Sequence, residues 1–122
     1  MKSKQLGEVQ DINEIQIVVF VPSTKGINKK ISSAEFQKRI NEVKHKLDLL
    51  FGGETTIKAK GSYYSKDLNK YVDENSAMVE TYAKKSDWEK KKNSFKSWVK
   101  SLKLKYGQES MGIIIENDMI YL

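Results

Sequence analysis

The chain has 122 residues, 39% of them hydrophobic and 31% charged, with a net charge of +6, a single proline, a single histidine and no cysteine. That length suits one domain around one core, and the absent thiols exclude disulfides, iron–sulfur clusters, thiolate zinc sites and a cysteine nucleophile. His45 alone gives no histidine pair for zinc or non-haem iron, so hard-cation binding by carboxylates is the remaining metal option.

Residues 1–13 read as a loosely ordered N-terminal segment of a single domain spanning 1–122. Met1-Lys2-Ser3-Lys4-Gln5 leads into Glu8, Gln10 and Asp11, not into an apolar stretch with a cleavage site, so the expected location is the cytoplasm. No apolar run approaches the roughly 20 residues that cross a bilayer, and no membrane contact is expected. From Glu14 to Val21 the apolar residues Ile15, Ile17, Val19 and Val21 fall on one parity, which predicts a strand with one buried face, ended by Pro22. A loop over Ser23–Ile31 follows. Ser32-Ser33-Ala34-Glu35 fits a capping box, and Phe36, Ile40, Val43, Leu47 and Leu50 form the apolar stripe of a helix stopped at Gly52-Gly53.

Thr55–Tyr64 alternates again and predicts a second strand, Ser65–Lys70 a hairpin loop, and Val72–Ala83 the returning strand. A second capping box at Ser86-Asp87-Trp88-Glu89 predicts a long helix with Trp88, Phe95, Val99, Leu102 and Tyr106 on roughly one face, stopped by Gly107. Met111–Glu116 is a last main strand, and Asn117-Asp118 turns it into a short strand, Met119–Leu122. The order β-α-β-β-α-β with a β extension is the pattern of an α+β, ferredoxin-like two-layer sandwich. An open sheet of different strand order with the same helices is the alternative.

Three groups of residues are candidates for function. Residues 84–106 hold nine lysines against Asp87 and Glu89, so the basic character of the chain belongs to the second helix. Lys91, Lys92, Lys96 and Lys100 are candidate contacts for nucleic acid or another polyanion. A solvated helix face is the reading preferred over that one, since the segment lacks the arginine suited to forked phosphate contacts. The open face of the sheet is the second candidate: with Ile15, Ile17, Val19 and Val21 toward the helices, Val18, Phe20, Tyr64, Met78, Tyr82 and Ile114 would form an apolar face for a protein partner or a second copy, giving a homodimer. The third is a polar pocket of Tyr63, Glu80, Gln108 and Glu109. There Glu80, a carboxylate in mid-strand, must face solvent or find a partner, and with Glu109, Glu116 or Asp118 it could hold Mg²⁺ or act as a general base.

Phe51-Gly52-Gly53-Glu54-Thr55, Gly61-Ser62-Tyr63-Tyr64, Glu80 and Tyr106-Gly107-Gln108-Glu109 together resemble the pattern of small uncharacterised proteins carried by phages and other mobile elements. Where that pattern has tryptophan before Gly107, this chain has Tyr106. The resemblance implies a compact ferredoxin-like domain and no assigned activity. With no nucleophile–base pair, cofactor fingerprint or metal spacing in view, the expectation is a non-enzymatic binding module without a cofactor. The alternative is a small enzyme or ligand-binding domain using the Glu80 pocket.

Overall fold

The computed structural model describes residues 14–26 and 29–122 apart from the Tyr63 side chain, so the expected loose segment at 1–13 lies outside the described residues. The elements are β1 (Glu14–Pro22), β2 (Thr24–Lys25), β3 (Lys29–Lys30), α1 (Ser33–Phe51), β4 (Thr55–Ser65), β5 (Lys70–Lys84), α2 (Lys85–Lys105), β6 (Gly112–Ile115) and β7 (Asp118–Tyr121). The main sheet runs β4-β5-β1-β6-β7, every neighbouring pair antiparallel, and β2 and β3 form a separate two-residue ladder. Its first four strands have the split β-α-β order expected of a ferredoxin-like sandwich, with β7 appended at one edge.

The helices cover one face because the sheet offers them one parity. Ile15, Ile17, Val19 and Val21 of β1, Ala77, Val79 and Ala83 of β5 and Ile113 of β6 are buried against Ile40, Val43 and Leu47 of α1 and Trp88, Phe95, Val99 and Leu102 of α2. Phe51, the last residue of α1, lies 6.4 Å from the Trp88 ring and 6.2 Å from the Phe95 ring. These edge-favouring aromatic contacts fix the end of α1 against α2.

Ser32 caps α1, its Oγ accepting from Glu35 N at 3.1 Å. Gly52 closes the helix in the left-handed region, φ 93°, and donates its amide to Asp48 O. A Cβ at Gly52 would meet nothing within 4 Å, so Gly52→Ala carries the backbone penalty alone, about 1 kcal/mol. Urea denaturation should find a loss of that size, and a neutral result would put the cap elsewhere.

Four boundaries differ from expectation. Pro22 is the last residue of β1, paired with Ser76, because a proline at a strand end leaves no central ladder bond unmade. The loop after it carries the β2/β3 ladder. The second capping box is not used: β5 runs directly into α2, whose cap position is Lys84 with no side-chain cap bond, and Ser86 is inside the helix. The last turn is one residue early, at Glu116-Asn117, with Glu116 at φ 59°.

Candidate functional site

The face of the sheet turned away from the helices carries one continuous cross-strand row, Thr55, Glu80, Val18, Ile114 and Met119, drawn from all five strands. Cross-strand partners point to the same side. Ile57, Met78 and Phe20 form the next row, and Tyr82 and Gln16 a third. Gly112 belongs beside them for steric reasons, since a Cβ there would approach Met119 Cε to 2.9 Å and Phe20 to 3.6 Å. Glycine thus lets Met119 lie across β6.

Five of the six expected face residues, Val18, Phe20, Met78, Tyr82 and Ile114, share this side. Val18 is 1% exposed, so it is already covered by its neighbours and offers nothing to a partner. Tyr64 is a correction: it shares the parity of Thr56 and Val79, the helix-facing side, and lies out on the β4–β5 ribbon paired with Tyr71, beyond the last β1 pair. There its ring packs on Tyr71 at 5.3 Å and its hydroxyl bonds Asn69. The two-residue side-chain period fixes this once the register is known.

Glu80 is half-buried in the middle of the open face, and its Oε2 accepts from Gln16 Nε2 at 2.5 Å across the sheet. It also lines a hollow of about 240 Å³ at the sheet edge with Phe51, Gly52, Gly53, Glu54, Thr55, Thr81 and Tyr82. The buried Thr81 hydroxyl donates to Gly53 O at 2.5 Å and latches the glycine turn onto β5. The lining therefore includes two acidic residues, Glu54 and Glu80, and two aromatic ones, Phe51 and Tyr82. Such lining suits an organic cation with an apolar or aromatic body.

The other expected pocket residues are elsewhere. Gln108 donates through Nε2 to Thr24 O at 2.6 Å and Tyr106 O at 3.1 Å, Glu109 is exposed in the loop after α2, and the Tyr63 side chain lies outside the described residues. Gln108 is not among the residues that line the Glu80 hollow. No group of three or more carboxylate or imidazole side chains gathers to hold a metal ion among the described residues. His45 is exposed on α1.

A second hollow, of about 480 Å³, is lined by Ala34, Glu35, Lys38, Arg39, Glu42, Lys105 and Tyr106. Its wall is a network that the apolar-stripe reading missed. Arg39, 3% exposed, donates to Pro22 O at 2.8 Å, Thr24 O at 2.9 Å and Tyr106 O at 3.4 Å, and stacks 4.4 Å from the centre of the Tyr106 ring. Tyr106 donates its hydroxyl to Glu42 at 2.6 Å, and Lys105 bonds the other Glu42 oxygen at 2.5 Å. Burial pulls the Arg39 guanidinium below its ordinary value, opposed by Glu35, Tyr106 and Glu42. Burial, then the bond to Glu42, pushes the Tyr106 phenol far above the tyrosine range, so it stays a donor.

Burial raises the Glu42 carboxyl, but the bonds from Lys105 and Tyr106 outweigh it and hold the group below its ordinary value. A carboxyl depressed on folding contributes stability above its unfolded pKa, and that contribution disappears as pH falls through the folded value. Glu42→Gln should therefore narrow the stability difference between pH 7 and about pH 3. Equal differences in the two proteins, by urea midpoints at both pH values, would show that Glu42 is not depressed.

On α2, Lys91 bonds Leu50 O at 2.6 Å and Lys92 pairs with Glu89 at 2.8 Å. Of the four candidate polyanion contacts, these two already have partners within the chain, while Lys100 is exposed and Lys96 half-buried. No helix among the described residues is long and apolar enough to cross a membrane.

No family model matches the chain, and no curated protein matches it. Two solved structures do. A phage SAM lyase in complex with S-methyl-5′-thioadenosine has a TM-score of 0.61 at 17% identity, over 94% of this chain and 93% of the other. A phage SAM lyase in the apo state has a TM-score of 0.57 at 18% identity, over 88% and 87%. At these identities the likeness shows the fold; both neighbours are phage proteins. The expectation of a non-enzymatic interaction module is corrected by these two neighbours, both lyases by name, one of them in complex with S-methyl-5′-thioadenosine.

Proposed function

We propose that this chain binds S-adenosylmethionine and breaks the bond between its sulfur and its four-carbon amino-acid chain, releasing S-methyl-5′-thioadenosine. The observation that carries the reading is the likeness to phage SAM lyases over nearly the whole of both chains. The site is the Glu80 hollow, where the carboxylates of Glu80 and Glu54 attract the sulfonium and the rings of Tyr82 and Phe51 flank the apolar body of the ligand. Expression from a phage or mobile element and action in the cytoplasm belong to the same reading.

The chemistry asks little of a protein. A sulfonium is a built-in leaving group, departing with the bonding electron pair as a neutral thioether. The carboxylate of the four-carbon chain can close on the carbon that sulfur leaves, so that one C–O bond forms, one C–S bond breaks and no proton moves. The protein need only fold the chain toward that geometry and hold the charge until it is lost. A chain with no cysteine and one exposed histidine is compatible with that step, and Glu80 acts in it on charge, not on a proton.

Incubation of the purified protein with S-adenosylmethionine, followed by chromatography, tests the reading. S-Methyl-5′-thioadenosine should accumulate in proportion to enzyme. Intact substrate, or S-adenosylhomocysteine from methyl transfer, would refute it.

A further inference from the structure

We propose that Gln16 is a positioning residue for the cation site: its amide holds one oxygen of Glu80, turning the carboxylate so that the other oxygen meets the positive charge of the ligand. This rests on the function proposed above. Gln16 and Glu80 are 64 positions apart and sit on adjacent central strands, in neighbouring rows of the open face. The bond from Gln16 Nε2 to Glu80 Oε2 is part-buried, and a hydrogen bond to a carboxylate is stronger than one between neutral groups. Among the described residues no other side chain bonds Glu80, so the amide alone sets the rotation of its carboxylate.

A glutamate in mid-strand has three rotatable bonds, and without a partner it would sample orientations directed into solvent. Gln16 is a donor that carries no charge, so it orders the carboxylate without neutralising it. A lysine or arginine at the same place would satisfy Glu80 equally well but would repel a cationic ligand. The neutral amide fits a carboxylate kept free to pair with an incoming positive charge.

The test uses a matched pair of probes: the stable aza analogue of S-adenosylmethionine, in which a protonated nitrogen replaces sulfur, and S-adenosylhomocysteine, its neutral thioether counterpart. Gln16→Met keeps side-chain volume and removes the donor. By calorimetry it should weaken the cationic probe about tenfold, the scale of a bond to a charged group, while neutral-probe affinity and the denaturation midpoint stay within about twofold and within error. In a Glu80→Gln background, Gln16→Met should have no further effect on the cationic probe. Equal weakening of both probes, or no change in either, would overturn the positioning role while leaving the proposed function standing. A wild-type protein that binds neither probe and releases no S-methyl-5′-thioadenosine would overturn both.

Discussion

Arg39→Met should destabilise the fold by about 3 kcal/mol, a large share of the roughly 5–15 kcal/mol that holds a domain of this size together. Methionine can follow the aliphatic stem of the arginine, so little packing is lost. The guanidinium, however, is the shared donor for Pro22 O, Thr24 O and Tyr106 O. Those carbonyls belong to the end of β1, the β2/β3 ladder and the end of α2, three places that no other described side chain joins at once. Gln108 also donates to the Thr24 and Tyr106 carbonyls, so their loss is partial, whereas no other side chain among the described residues donates to the Pro22 carbonyl. The stack of Arg39 on Tyr106 disappears as well. Arg39→Lys should recover only part of the loss, because an ammonium cannot reproduce a planar fork reaching three acceptors. Urea denaturation of the two variants measures both effects, and an Arg39→Met midpoint within about 1 kcal/mol of wild type would reduce the network to ornament on an already secure core.

Under the proposed function, Glu80→Gln should lower the release of S-methyl-5′-thioadenosine by about 100-fold or more, the scale of removing one preorganised electrostatic group from a reaction centre. Glutamine keeps the length and shape of the side chain and can still bond Gln16, so the sheet should survive and the denaturation midpoint should move little. What disappears is the single charge in the middle of an otherwise apolar and amide-lined face. Glu54 lines the same hollow, but as a member of the turn after α1 it approaches from the rim. Its glutamine variant should lose less than Glu80→Gln does. An active Glu80→Gln enzyme would remove the hollow from the reaction whatever the fate of the overall reading.

The parts of the fold that sequence conveys are those set by local period. Alternation in Glu14–Val21 and the Phe36, Ile40, Val43, Leu47 stripe reflect burial directly, and both the strand and the helix form where the pattern places them. Arg39 was visible in the same stripe, three residues after Phe36 and four before Val43, but charge concealed it: a buried arginine is legible only when its acceptors are known, and they lie 15 to 67 residues away. Ser86 looked like a cap because a capping box is a short motif. It is not one, since β5 enters α2 without a loop and the chain needs no stop there.

The site divides the same way. Glu80 stood out as a carboxylate in mid-strand, and the neighbourhood of Phe51-Gly52-Gly53-Glu54-Thr55 stood out through a resemblance; the fold brings these together. Gln16 could not be found, because nothing in two distant strands announces their register. Gln108 was chosen for its place in a motif, whereas its amide is spent on the carbonyls beside Arg39. The expectation of a non-enzymatic module weighed the missing nucleophile and base; under the function proposed here, a substrate bearing its own leaving group requires neither.

Titration of isotopically labelled protein with S-methyl-5′-thioadenosine, followed amide by amide in NMR spectra, addresses the central claim most directly. The resonances that move should cluster at Gly52–Thr55 and Glu80–Tyr82, with Gln16 following through its bond to Glu80, while those of Arg39, Tyr106 and the α2 lysines stay in place. Shifts concentrated around Arg39 and Tyr106, or no shifts at millimolar nucleoside, would contradict the assignment of the ligand to the Glu80 hollow.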